Sequence, residues 1–82
     1  MQEAEVLQSA AQSQPDNLAL CVRAAEALLE NGNTGEGLNL LAGVLDRDPD
    51  FGPAHLALAD HFDRQNQPER ATAHRRRAGA KP

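Results

Sequence analysis

The sequence predicts an all-helical domain of helical hairpins stacked side by side, and three observations carry that prediction. Leu and Ala dominate the apolar content, and both are strong helix formers; Ile, Tyr and Trp are absent, and Phe51 and Phe62 are the only aromatic residues. No stretch alternates apolar with polar residues in the manner of a half-buried strand. Shifted by 34 residues, the chain lies on itself: Pro15-Asp16 falls on Pro49-Asp50, Ala24 on Leu58, Ala25 on Ala59, Leu28 on Phe62 and Glu36 on Arg70. Matching positions at one fixed period mark a stacked repeat architecture.

The elements follow in order, within a single domain over residues 1–82. Residues 3–13 correspond to the second helix of a truncated repeat, with Ala4, Leu7, Ala10 and Ala11 in register with Leu38, Leu41, Val44 and Leu45. Residues 17–48 form the first full repeat. Its first helix runs from about Asn17 to Asn31, with Leu18, Cys21, Ala24, Ala25 and Leu28 at helical spacing. "NGN" ends it, because Gly32 can take the left-handed conformation of a helix terminus. Thr34 is the expected N-cap of the next helix, whose inward face is Leu38, Leu41, Val44 and Leu45. "RDPD" stops that helix, since the residue before Pro49 is pushed out of helical geometry. Residues 52–79 form the second, C-terminal capping repeat. Its first helix starts near Pro53 and turns Ala54, Leu58, Ala59 and Phe62 inward. Asn66 takes the place of Gly32 in the turn, Pro68 opens the last helix and Gly79 ends it.

A chain of 82 residues buries only about 60–65% of its unfolded surface, so small packing gains matter. Cys21 is the only cysteine, which excludes an intrachain disulfide and a multi-cysteine metal site and fits a reducing compartment. "MQEAEVLQ" has neither a basic start nor a long apolar run, and no segment is apolar enough to span a membrane. A soluble, cytoplasmic chain is expected. The net charge of −4 is unevenly spread: residues 1–63 carry eleven acids against two arginines, and residues 64–82 carry six bases against Glu69. Without aromatic residues among those bases, a nucleic-acid platform is not expected.

The period, the proline turns and the small residues at Ala25 and Ala59 resemble the tetratricopeptide repeat, and the resemblance covers nearly the whole chain. It implies about five helices in a short right-handed superhelix. Leu28 and Phe62 fill the large apolar position, Ala71 the small one of the second helix, and Pro15 and Pro49 the terminal proline. Cys21 and His55 stand where the family often has Trp. Gly37 replaces the usual Ala, costing about 1 kcal/mol of helix propensity unless it permits closer packing. Arg75 replaces the apolar residue matched by Leu41 and, with "ATAHRRRAGAKP", gives the last helix the polar outer face of a cap. At the other end, Ala4, Leu7, Ala10 and Ala11 lack one neighbour. Either the chain is an excised C-terminal piece of a longer protein, or it self-associates as a homodimer through residues 3–13.

Chemistry is not expected, and neither is a cofactor. Cys21 and His55 hold equivalent repeat positions and could form a nucleophile and base, but buried cysteines are usually inert and no oxyanion loop accompanies the pair. Asp60, His61 and His74 are the only plausible metal ligands, and their spacing does not converge, so no metal site is expected. "NGNTGEG" follows no strand and lacks the Lys-Ser/Thr of a phosphate loop.

The resemblance implies instead a concave groove, lined by the first helix of each repeat, that receives a peptide or partner protein. Carried over by position, Ala19, Val22, Arg23, Glu26, Leu29 and Glu30 would face it from one repeat, and Leu56, Asp60, Asp63 and Arg64 from the next. Val22, Leu29 and Leu56 also lie off the packing stripe of their own helices, as exposed aliphatics of a binding face would. One subclass of the family holds a partner's terminal carboxylates with Lys and Asn; Glu26 and Asp60 stand where its Asn would be and would repel such a ligand. A basic or apolar ligand is expected. Arg70, Arg75, Arg76 and Arg77 form a second, basic patch open to an acidic partner.

Overall fold

The computed structural model describes residues 9–79. Residues 9–13 are helical (α1), followed by α2 (Leu18–Glu30), α3 (Thr34–Arg47), α4 (Gly52–Arg64) and α5 (Pro68–Gly79). No strand occurs among the described residues. The chief packing partners are α2 with α3 and α4 with α5, two antiparallel hairpins; α4 then lies against both α2 and α3.

The repeat is visible bond by bond. After α2, the Asn33 amide donates to the Leu28 carbonyl at 2.8 Å and the Gly32 amide to the Leu29 carbonyl at 3.2 Å. After α4, the Gln67 amide donates to Phe62 at 2.8 Å and the Asn66 amide to Asp63 at 3.1 Å. These paired bonds close a helix end when the next residue adopts a left-handed backbone. Gly32 has φ +83° and Asn66 φ +59°, so the two turns solve the same problem with the two residue types best suited to it. The turns between hairpins recur in the same way: Asn17 donates to Gln14 and Phe51 to Asp48, each at 3.0 Å. Asp48, before Pro49, is extended at φ −140°, and α3 stops there.

Cap chemistry differs in one place from expectation. Asn17 caps α2 as its position suggests, its side chain accepting from the Leu20 amide at 3.1 Å. Thr34, expected as the N-cap of α3, is instead its first helical residue; Asn33 is the cap and makes no side-chain cap bond. The backbone bonds of the preceding turn already fix this entry, and the Gly37 amide is satisfied by the Asn33 carbonyl at 3.0 Å.

The core is small and aliphatic: Cys21, Val22, Ala24, Ala25, Leu41, Val44, Ala54 and Ala57 pack as one cluster with Ala11. Ala24, Ala25 and Leu41 are wholly buried. Gly37 explains how the α2–α3 crossing closes. A Cβ placed there would lie 2.9 Å from Cγ and Cδ2 of Leu29 and 3.1 Å from the Ala25 carbonyl oxygen, so the helix-breaking residue is what lets the backbones approach. Its counterpart one repeat on is Ala71, fully buried. There the partner matching Leu29 is Asp63, which reaches outward to Arg75, and the methyl group fits.

Candidate functional site

Because α2 and α4 lie side by side, their outer faces form one surface that spans both repeats. Ala19, Arg23, Glu26 and Glu30 are exposed on α2, and Leu56, Asp60, Asp63 and Arg64 on α4. Two residues expected on that surface are not available to it. Val22 is only 3% exposed, and Leu29 is half-buried against the core over Gly37. The reason for Val22 is the neighbouring repeat. It joins Ala54 and Ala57 of α4 in the core cluster, so the buried stripe of α2 is wide enough to serve two contacts. Leu56 is the same position one repeat later and is 52% exposed, because no further helix among the described residues stacks on α4 there.

The surface is electrostatically crowded. Burial pushes the Glu26 carboxyl above its ordinary range, and the charges of Glu30 and of Asp60, from the next repeat, push it further; Arg23 opposes them. Asp63 is better supplied: it pairs with Arg75 of α5, and that hydrogen bond holds the guanidinium still more firmly protonated.

The basic patch is mostly engaged within the chain. Arg70 lies over the Phe62 ring at 5.6 Å, Arg75 pairs with Asp63, and Arg77 donates to the Pro49 carbonyl at 3.2 Å while its guanidinium lies 3.7 Å from Asp50. Arg76 projects beside Pro68, Glu69 and Thr72.

Cys21 and His55 turn to different partners. The Cys21 thiol points at the Pro15 carbonyl, 3.9 Å away, and His55 Nε2 lies 2.8 Å from the Pro49 carbonyl, the equivalent atom one repeat on. His55 Nδ1 is 3.0 Å from His74 Nδ1. A carbonyl can only accept, so His55 Nε2 carries its proton, His55 Nδ1 accepts, and His74 Nδ1–H donates. His74 stacks on Phe62 with ring centroids 5.6 Å apart and planes 13° from parallel. Burial lowers the basicity of His74, and His55 and Arg77 lower it further. These rings hold α4, α5 and the Pro49 turn together, a packing role. The stack escaped the sequence reading, which took His74 with Asp60 and His61; the signal was that His55 and His74 are the counterparts of Cys21 and Leu40, two positions on facing helices. Among the described residues no group of three or more His, Cys, Asp or Glu side chains converges as metal ligands would. None of their helices is long and apolar enough to cross a membrane.

A sequence model of the tetratricopeptide repeat matches residues 1–78. No curated protein and no solved structure matches the chain significantly.

Proposed function

The chain belongs to the tetratricopeptide repeat family, whose members generally mediate protein–protein interactions, and from that premise we propose that it is a non-catalytic adaptor or scaffold module. It binds a peptide or partner protein of basic, partly apolar character along the joined face of α2 and α4. The observation that carries this reading is the set of exposed acids on neighbouring helices of two successive repeats, Glu26 and Glu30 on α2 and Asp60 on α4; after burial, the charges of Glu30 and Asp60 add to the raised affinity of Glu26 for its proton. A lysine or arginine laid across these acids would relieve that repulsion. Leu56, exposed among them, offers an apolar contact. Ala19, Arg23, Asp63 and Arg64, exposed on the same two helices, belong to the proposed surface.

The test is a titration with a short amphipathic peptide carrying Lys or Arg, followed by backbone amide shifts. Shifts should concentrate on Glu26, Glu30, Leu56 and Asp60, and the double substitution Glu26→Lys, Asp60→Lys should weaken binding about tenfold or more. Unchanged affinity in the double variant would reject the acidic face as the site. The competing use of the fold is self-association through residues 3–13, of which 3–8 lie outside the described residues. Sedimentation separates the two: the adaptor reading expects a monomer at high concentration, and a concentration-dependent dimer would favour the alternative.

A further inference from the structure

Asn31-Gly32, at the end of α2, is the one place in the sequence where an asparagine precedes a glycine; Asn17, Asn33, Asn39 and Asn66 precede Leu, Thr, Leu and Gln. Asparagine is a thermolabile residue, because the main-chain nitrogen of the next residue can attack its side-chain amide. A following side chain obstructs that approach, and glycine has none. Asn31, Gly32 and Asn33 are all exposed, so base and water reach the site.

The turn holds both reacting groups. Nδ2 of Asn31, the leaving nitrogen, donates to the Ala27 carbonyl at 3.0 Å. The Gly32 amide, the attacking nitrogen, donates to the Leu29 carbonyl at 3.2 Å. Attack waits for the turn to open, and solvent-exposed backbone bonds at a helix end open more readily than those of the core. The second repeat makes the same turn without the liability. Gln65 and Asn66 stand for Asn31 and Gly32, the closing backbone bonds recur, and Asn66 has φ +59° against +83° for Gly32. There the side-chain amide is one methylene longer, and the next residue carries a Cβ.

We propose that Asn31 is a site of spontaneous deamidation, gated by opening of the α2–α3 turn. Base removes the Gly32 N–H proton and the nitrogen bonds to Asn31 Cγ. The Cγ–Nδ2 bond breaks, Nδ2 takes up a proton and leaves as ammonia, and a succinimide ring remains. Water then opens the ring at either carbonyl, giving aspartate or isoaspartate; nothing is oxidised or reduced. Both products add one negative charge to the chain's −4. The charge falls beside Glu30 at the C-terminal end of α2, where the helix carbonyls disfavour an anion. Isoaspartate also adds one carbon to the main chain, which breaks the register of the Asn33 amide on the Leu28 carbonyl, now 2.8 Å.

The experiment incubates the full 82-residue chain in warm, mildly alkaline buffer and follows the tryptic peptide 24–47 by mass spectrometry. That peptide holds Asn31, Asn33 and Asn39, so fragmentation assigns the amide-to-acid exchange. Asn31 should convert at least tenfold faster than the other two, and faster again by at least tenfold in guanidinium chloride, where the turn is lost. Two variants borrow residues of the second repeat: Asn31→Gln should abolish conversion at that position, and Gly32→Asn should slow it at least fivefold, both with helical circular dichroism. The inference falls if Asn33 or Asn39 converts first, if the folded chain stays unmodified while the unfolded chain converts, or if Gly32→Asn converts Asn31 at the parental rate. Equal rates in the folded and unfolded chain overturn the gating. In the isoaspartyl product, separated by anion exchange, the Asn33 amide should exchange with deuterium at least tenfold faster; unchanged protection overturns the effect on the turn. No peptide or partner takes part, so none of these outcomes bears on the acidic-face reading.

Discussion

Two glycines of α3, six residues apart, should respond to the same substitution with opposite signs. In a helix interior, Gly→Ala stabilises by about 1 kcal/mol through propensity and reduced freedom of the unfolded chain. Gly43 should show that gain undiminished, since its added methyl meets nothing within 4 Å. Gly37 should not, because its methyl would lie 2.9 Å from Leu29 and 3.1 Å from the Ala25 carbonyl oxygen. Leu29 can rotate, but the Ala25 backbone cannot, so α2 and α3 must part over wholly buried Ala25 and Leu41. Overpacking of this kind costs roughly 1–3 kcal/mol. Taking about 2 kcal/mol for it leaves Gly37→Ala less stable than the parent by about 1 kcal/mol, and some 2 kcal/mol below Gly43→Ala. For a domain of this size that is a gap of roughly 10 °C in Tm, resolved easily by far-UV circular dichroism melts. If Gly37→Ala melts at or above Gly43→Ala, the close crossing is not what the glycine provides.

Further outcomes follow from the same coordinates. Val22→Ala should destabilise by about 1–2 kcal/mol and Leu56→Ala by less than about 0.5 kcal/mol, although the two positions are one repeat apart, because only Val22 is covered by α4; equal losses in urea denaturation would contradict the stacking of α4 on α2. His74 has a lowered affinity for protons, so the unfolded chain binds more protons than the folded one below its ordinary value of 6.5. Stability should therefore fall as pH drops from 7 towards 5, and His74→Leu, borrowing the residue of the first repeat, should flatten that slope; an unchanged slope would reject the contribution. Glu26 works in the opposite sense: with its affinity for protons raised, it costs stability as pH rises above its ordinary value of 4.5. Glu26→Gln should then stabilise at neutral pH, by no more than about 0.5 kcal/mol given its solvent exposure, and a loss of stability would argue against the acidic crowding.

What could be read without coordinates was whatever one chain segment decides for itself. The period, the stops at Asp48-Pro49 and the left-handed turns at Gly32 and Asn66 are local matters of backbone geometry, and they stand as expected. What depends on a neighbour was not legible. Val22 and Leu56 share a register and differ only in whether a helix lies beyond them. Gly37 is unfavourable in its helix by propensity, and only the position of Leu29 shows its use. The ring stack of His55, His74 and Phe62 and the open space beside Gly43 are the same location in two repeats, one filled and one empty. Side-chain size and hydrogen-bonding capacity at four scattered positions separate them.

The acidic face is tested most directly by mapping the amide shifts caused by a Lys- and Arg-bearing amphipathic peptide, at low and high salt. The account predicts shifts on both repeats at once, at Glu26, Glu30, Leu56 and Asp60, with affinity falling as salt rises. Shifts confined to one helix or to the α5 arginines, or an affinity indifferent to salt, would contradict it.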